Sequence, residues 1–305
     1  MRLTNRDFIN ESDDFKKMLQ FIIEDNTEKK DYFSWSIGRI VDWKYGLWRE
    51  KKFFPQFFRK NSHLWFDYFD NLVGFAISEN GDNMFYIFTV DKYPFLYEEI
   101  LKWVKVNWKD RDGLLYTEVV ENRNHEIKVL EDNGFIAKGV CEVTRAFDCT
   151  KAIGEDIDLP NGYAFSNMKE NYDLMGKRKM QLNAFRKQDS IKQVDILAAE
   201  YAHESPIYKP EFDISVITEN GTHVSGCEAF IDYVNNTAEI ERVCTHSEYR
   251  QKGFATKILI KCMQELSSHG IKKAYITGMS EIAIRLYGKL GHENEMKRIY
   301  YEITK

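Results

Sequence analysis

The run "YRQKGFATKIL", Tyr249 to Leu259, sets an arginine, two residues, a glycine, one residue and an alanine at the mouth of a helical pattern. The first turn of a helix exposes backbone N–H groups with no intrahelical acceptor, and the aligned peptide dipoles add partial positive charge there. Such a turn suits a phosphate. Gly253 lets the main chain approach an anion with no side chain in the way, and Ala255 keeps the next position slim. Arg250, Lys252 and Lys257 add diffuse positive potential. The spacing alone arises by chance in a chain of this length with a probability of roughly 0.15, so its neighbours decide its meaning. Before it, "AEIERVCT" reads as a strand; after it, Ile258, Leu259, Cys262, Met263 and Leu266 fall on one helical stripe. A P-loop needs G-x-x-x-x-G-K-S/T and a dinucleotide fingerprint needs three glycines, and the run has neither pattern.

The elements that must position this loop come from a chain of 305 residues with 43% hydrophobic content, enough for one large or two ordinary domains. The sequence has no apolar run long enough to cross a bilayer, and its start, "MRLTNRDFINESDDF", lacks a secretory signal. A soluble, cytoplasmic protein is expected, with no membrane partner. Five scattered cysteines without a C-x-x-C pair read as reduced structural thiols, Cys244 among them. A net charge of -5 argues against nucleic acid as a partner. The basic aromatic stretch Trp43 to Phe66 reads as core rings with a solvated charged rim. No histidine or cysteine spacing suits a metal, and no G-x-S-x-G elbow occurs.

Along the chain, "CTKAIGEDIDLPNGY", Cys149 to Tyr163, is acidic, with a proline and two glycines, and reads as a linker. Before it come a helix over 11–25, strands within "LWFDYFDNLVGFAISENGDNMFYIFTV", a helix from about Phe95 to Trp108, a strand "LLYTEVV" and a helix ending at Gly134. After it the order returns: helices across 169–201, strands through "FDISVITENGTHVSGCEAFIDYVNNTAEIERVCT", a helix from Gly253 to His269, a strand "KKAYIT" and a helix ending at Gly291. The two halves are read as copies, anchored by "EIKVLEDNGF" (Glu126 to Phe135) and "AIRLYGKLGH" (Ala283 to His292). Aligned by Gly134 and Gly291, Leu130 stands opposite Tyr287 and Tyr93 opposite Arg250. The first half has no glycine between Asp82 and Asp112, and Pro94 removes a backbone donor at the turn where a phosphate would sit.

Three stretches, "YKPEFDISVITENG", "ERVCTHSEYRQKGFATKIL" and "IAIRLYGKLGH", together resemble the general-control-related N-acetyltransferases (GNAT) in order and spacing, from about Tyr208 to His292. The resemblance implies an α/β chain of the mixed α+β type, with two tandem GNAT-like domains, each a mostly antiparallel mixed sheet flanked by helices. It implies direct acetyl transfer from acetyl-CoA to a small primary amine in a ternary complex. By position, the backbone N–H groups of Gln251, Lys252, Gly253, Phe254, Ala255 and Thr256 would bind the pyrophosphate with Arg250 beside them in the cofactor site, and Val243, Cys244 and Thr245 would pair with the pantetheine arm. Tyr287 falls where the family often has its general acid. Glu239 and Glu241 share a strand face; Glu241 is taken as the base, and Glu239 stays open for the role. Ser280 replaces the family's asparagine and His292 its usual aromatic, while His246 stands where a proline is common and reads as a solvated loop residue.

The expected division is 1–150, a GNAT-like domain that has lost acetyl-CoA binding; 151–162, a linker; and 163–305, the acetyltransferase domain. The first domain is expected to wall part of the pocket or to serve as a structural partner. The competing reading is a CoA-sensing or protein-binding regulatory module without turnover. The acceptor and the oligomeric state are not legible in the sequence.

Overall fold

The structure is a computed structural model that describes residues 3–29, 35–46, 56–109, 111 and 113–303. In chain order its elements begin with β1 (Thr4–Asp7), α1 (Asp14–Lys29), α2 (Ile37–Tyr45), α3 (Gln56–Lys60), β2 (Ser62–Phe66), β3 (Leu72–Ile77), β4 (Met84–Thr89) and α4 (Leu96–Asn107). Then come β5 (Tyr116–Val120), α5 (Asn124–Asp132), β6 (Phe135–Asp148), β7 (Tyr163–Asn167), α6 (Leu174–Arg186) and α7 (Gln193–His203). The chain closes with β8 (Asp213–Thr218), β9 (His223–Asp232), β10 (Thr237–Thr245), α8 (Phe254–Ser268), β11 (Lys273–Gly278), α9 (Glu281–Tyr287) and β12 (Asn294–Ile303).

These elements form two compact units, and neither is a contiguous half of the chain. The first comprises Met1–Ser36, Arg49–Val143 and Met296–Lys305; the second comprises Ile37–Trp48 and Thr144–Glu295. The division expected at residues 150 and 163 is therefore displaced at both ends and interrupted once. The expected linker is in part core: Cys149 and Ala152 are buried with the residues of α8, and Gln264 of α8 donates to the carbonyls of Ala152 and Glu155. Acidic composition marked the exposed turn after them but could not reveal two small apolar residues packed under a helix.

In the first unit the strand order is β1-β2-β3-β4-β5-β12-β6. Its β2 to β4 meander is antiparallel, β4 and β5 are parallel, and β12 runs antiparallel to β5. Leu96, Ile100, Leu101 and Val104 of α4 are fully buried at helical spacing, with Phe85, Leu130 and Phe135 in the same core. The early aromatics are core residues as expected: Trp35, Trp43 and Trp65 are all buried, while Trp48 lies outside the described residues.

In the second unit the order is β6-β11-β10-β9-β8-β7. Strands β7 to β10 are antiparallel and β10 pairs in parallel with β11. Helix α8 buries Ile258, Leu259, Cys262, Met263 and Leu266, the stripe read from the sequence; each large apolar side chain so buried contributes about 1.5–3 kcal/mol. Helix α2 packs on β9, β10 and α7. Its Gly38 makes this possible: a Cβ there would strike the Glu239 carboxylate and the Phe230 ring. Among the described residues no helix is long and apolar enough to cross a membrane, and no group of His, Cys, Asp and Glu could hold a metal ion.

Candidate active site

Strand β10 opens the site. Its parallel pairing with β11 covers Thr237 to Glu239 alone, whereas its antiparallel pairing with β9 runs on to Thr245. Beyond Glu239 one edge of β10 is therefore free of β11. The β9 register shifts between Glu241 and Cys244, where Arg242 takes φ 54°. A bulge of this kind leaves a residue unpaired and bends the strand. A left-handed conformation is costly for an arginine, and here two carboxylates hold its side chain: Arg242 is 8% exposed and forms ion pairs with Glu228 of β9 and Asp42 of α2.

Past the bulge, Val243 is half-buried, Cys244 is buried and Thr245 half-buried. The Cys244 carbonyl accepts from the Ser225 hydroxyl at 2.9 Å. Burial pushes the Cys244 thiol up to about 12, which leaves it a protonated apolar side chain. His246 caps the following 3-10 turn by accepting from the Glu248 amide at 3.4 Å. The Ser247 amide donates to Asn183 of α6 at 2.7 Å, tying loop to helix.

The loop then prepares an anion seat. Gln251 (φ 64°) and Gly253 (φ 79°) both turn left-handed, and Gly253 is the N-cap of α8. Among the described residues, no protein acceptor takes the amides of Gln251 to Thr256. A Cβ at Gly253 would meet nothing within 4 Å, so its hydrogen faces open space. The Arg250 guanidinium is turned away from this space: its Nε donates to Thr245 O at 3.2 Å and its Nη2 to Ala184 O at 2.9 Å. It braces the loop against α6 rather than supplying free charge. Lys252 lies over the Tyr249 ring at 5.2 Å and donates to Tyr163 Oη at 3.3 Å.

Two carboxylates and a phenol flank the bulge. Glu239 is 2% exposed, and burial, then the Glu241 charge, raise its pKa well above the carboxylate range. Glu241 is half-buried; burial first, then the charge of Asp42, push it up to about 7, while Arg242 and Arg39 pull the other way. Tyr287 of α9 is 6% exposed, and burial, followed by the charges of Glu241 and Cys244, raises its phenol. Among the described residues no hydrogen bond claims its hydroxyl. Thus the structure gathers Glu241, Val243 to Thr245, the 250–256 loop and Tyr287 within one unit.

Sequence reasoning missed a second polar group beside the bulge. Lys177 of α6 is buried, with Nζ 2.5 Å from Asp213 and 2.8 Å from Ile214 O. Asp213 also accepts from Tyr208 Oη at 3.1 Å, and the Lys177 charge holds its carboxyl far below the usual range despite burial. No motif announced these residues or Asp42, because they come from separate elements; Asp42 lies 200 positions before Arg242.

The first unit offers the contrast. Its β3–β4 pairing keeps one register throughout, with no bulge. Tyr93, at the position aligned with Arg250, is buried in the core, and Leu130, at the position of Tyr287, is fully buried. Where β4 and β5 part, a cleft of about 380 Å³ counted to its open mouth is lined by rings and by Arg123 and Glu126. Trp35 stands edge-on to Tyr86 and Phe88 there, with ring centroids 4.7 and 5.1 Å away.

Residues 179–292 match the Acetyltransferase (GNAT) family model. The whole chain has the fold of tandem GNAT proteins. It is similar to a tandem GNAT protein from the clavulanic acid biosynthesis pathway, with 10% identity, 100% and 99% of the two chains covered and a TM-score of 0.65. A GCN5-related N-acetyltransferase from Sphaerobacter thermophilus matches at 14% identity over 99% and 96% of the two chains, with a TM-score of 0.62. A GNAT-family acetyltransferase from Colwellia psychrerythraea matches at 12% identity over the full length of both, also with a TM-score of 0.62. At these identities the likeness is one of fold. No curated protein sequence matches the chain. The family match over residues 179–292 and the two-domain GNAT fold of the chain together support acetyl transfer in general.

Proposed function

We propose that the protein is an N-acetyltransferase that moves an acetyl group from acetyl-CoA directly to a primary amine, with both substrates held by the second unit. The observation that carries this reading is the run of unclaimed amides from Gln251 to Thr256, entered from a bulged strand that bears a carboxylate titrating near neutrality. The amides and the left-handed turns at Gln251 and Gly253 fit a pyrophosphate, whose charge the α8 dipole also favours. The free edge of β10 at Val243 to Thr245 fits an extended amide-bearing arm. Acetyl-CoA, when bound, supplies an activated thioester carbonyl and a thiolate leaving group.

The chain's own residues manage the protons. Glu241 has the accessibility and the near-neutral pKa of a general base for an ammonium, directly or through a water. Glu239, more deeply buried and with its pKa raised by that burial and by the Glu241 charge, is suited to hydrogen-bond its neighbour rather than to exchange protons with an acceptor. Tyr287 stays a neutral phenol at working pH and can give a proton or a hydrogen bond to a departing sulfur. In this reading the first unit does not bind acetyl-CoA. No metal, nucleic acid or membrane takes part, and the protein works in the cytoplasm.

The test is thiol release from acetyl-CoA over a panel of amines, with wild type and Tyr287→Phe, beside calorimetric titration with CoA. The reading expects turnover on at least one amine and a fall in kcat for the Phe variant of about 10-fold or more. Tight CoA binding with no turnover on any amine, and a Phe variant indistinguishable from wild type, would replace it with the CoA-sensing reading.

A further inference from the structure

Helix α2 lies in the N-terminal sequence yet belongs to the second unit, seated on β9 and β10 by the close approach at Gly38. Its Asp42 holds the Arg242 side chain that Glu228 holds from the other side, at the one residue of the bulge with a positive φ. Tyr45, one turn further on, packs its ring 5.1 Å from that of Tyr201 of α7 and fixes the helix end. We propose that α2 is a working part of the active site, in which Asp42 is a positioning residue that locks the β10 bulge beside Glu241 through Arg242. The inference rests on the proposed reading in which Glu241 is the base.

The geometry explains why a remote helix is required. The left-handed conformation of Arg242 is strained for a residue with a side chain, and an unpaired buried guanidinium costs more still. Glu228 alone gives Arg242 one partner from the sheet; Asp42 gives it a second from the opposite layer. Several charged or titratable groups act on Glu241 or on its partners. They are Glu239 and Arg242 of β10, Glu228 of β9, Asp213 of β8, Arg39 and Asp42 of α2, Arg178 of α6, His203 of α7 and Tyr287 of α9. On α2 two of them oppose each other: the Asp42 charge favours protonated Glu241, and the Arg39 charge favours its carboxylate.

This opposition supplies a test that loss of packing would not mimic. In the full-length protein, Glu241 is titrated by carbon-13 NMR of its side-chain carboxyl, and the acid limb of kcat/KM is measured in parallel. For Asp42→Asn both readouts are expected to move down by about one pH unit, and for Arg39→Gln both move up; Asp42→Glu restores the wild-type limb. A Glu241 ionisation unmoved in both variants, or moved in the same direction by both, would overturn the proposal whatever the effect on rate. Should the NMR shifts appear while wild type turns over no amine, the positioning role stands and the acetyltransferase reading falls.

Discussion

The two strand-to-helix passages of this molecule, residues 90–95 in the first unit and 246–253 in the second, solve the same topological problem with opposite chemistry. Each leads from a strand that parts from its parallel neighbour into a long core helix. In the first, the Leu96 amide is taken by Tyr93 O at 2.9 Å, the N-cap Phe95 is right-handed, and Pro94 has no amide to give. In the second, two left-handed residues turn the backbone so that successive amides meet no acceptor. The first passage ties the Tyr93 and Leu96 amides into its own turns and has none at Pro94, whereas the second leaves the run from Gln251 to Thr256 without a protein acceptor. The same division recurs at the aligned helix position, where Leu130 completes a core and Tyr287 brings a hydroxyl to the carboxylate-bearing bulge.

Making the second unit resemble the first should break it. Tyr287→Leu or Glu241→Gln is expected to lower kcat/KM by about 10²–10⁴-fold, with CoA affinity within a few-fold of wild type; steady-state kinetics and calorimetry check both. Gly253→Val comes next. The new side chain enters open space and stays clear of the core, so CoA affinity should fall about 100-fold while stability drops by about 1–2 kcal/mol from the left-handed backbone alone, read by urea denaturation. A stability loss without an affinity loss would show that the loop is not the anion seat.

The pH dependence sharpens the comparison further. If Glu241 must be ionised, kcat/KM rises with pH up to about 7 and levels above it. Its stability linkage has a definite sign. The folded state holds the Glu241 proton from the ordinary carboxyl value of 4.5 up to about 7, so its contribution is full below 4.5 and is lost as pH rises through 7. Glu241→Gln should therefore gain stability relative to wild type across that window, measured by denaturation at pH 4 and pH 8. The smallest effect belongs to the first unit: Tyr93→Arg with Pro94→Gly should confer no second CoA site, because that strand lacks a bulge. A CoA stoichiometry of two would overturn the view that the loop sequence alone is not enough.

The sequence determined what depends on neighbours along the chain. Helix α8, the glycine turn, the strand before it and the repeat of the two halves follow from apolar periodicity and from glycine at a left-handed position, both local properties. The early tryptophans were legible as core because large rings are buried more often than displayed. Tertiary structure decided the rest. It placed α2 in the second unit, sent β12 to the first unit's sheet, and turned Arg250 from a free charge into a brace. It also set Asp42 beside Arg242 and gave Glu241 its near-neutral ionisation. These are outcomes of burial and of charges brought close from distant elements, and neither Coulomb energy nor desolvation leaves a periodic mark in the sequence.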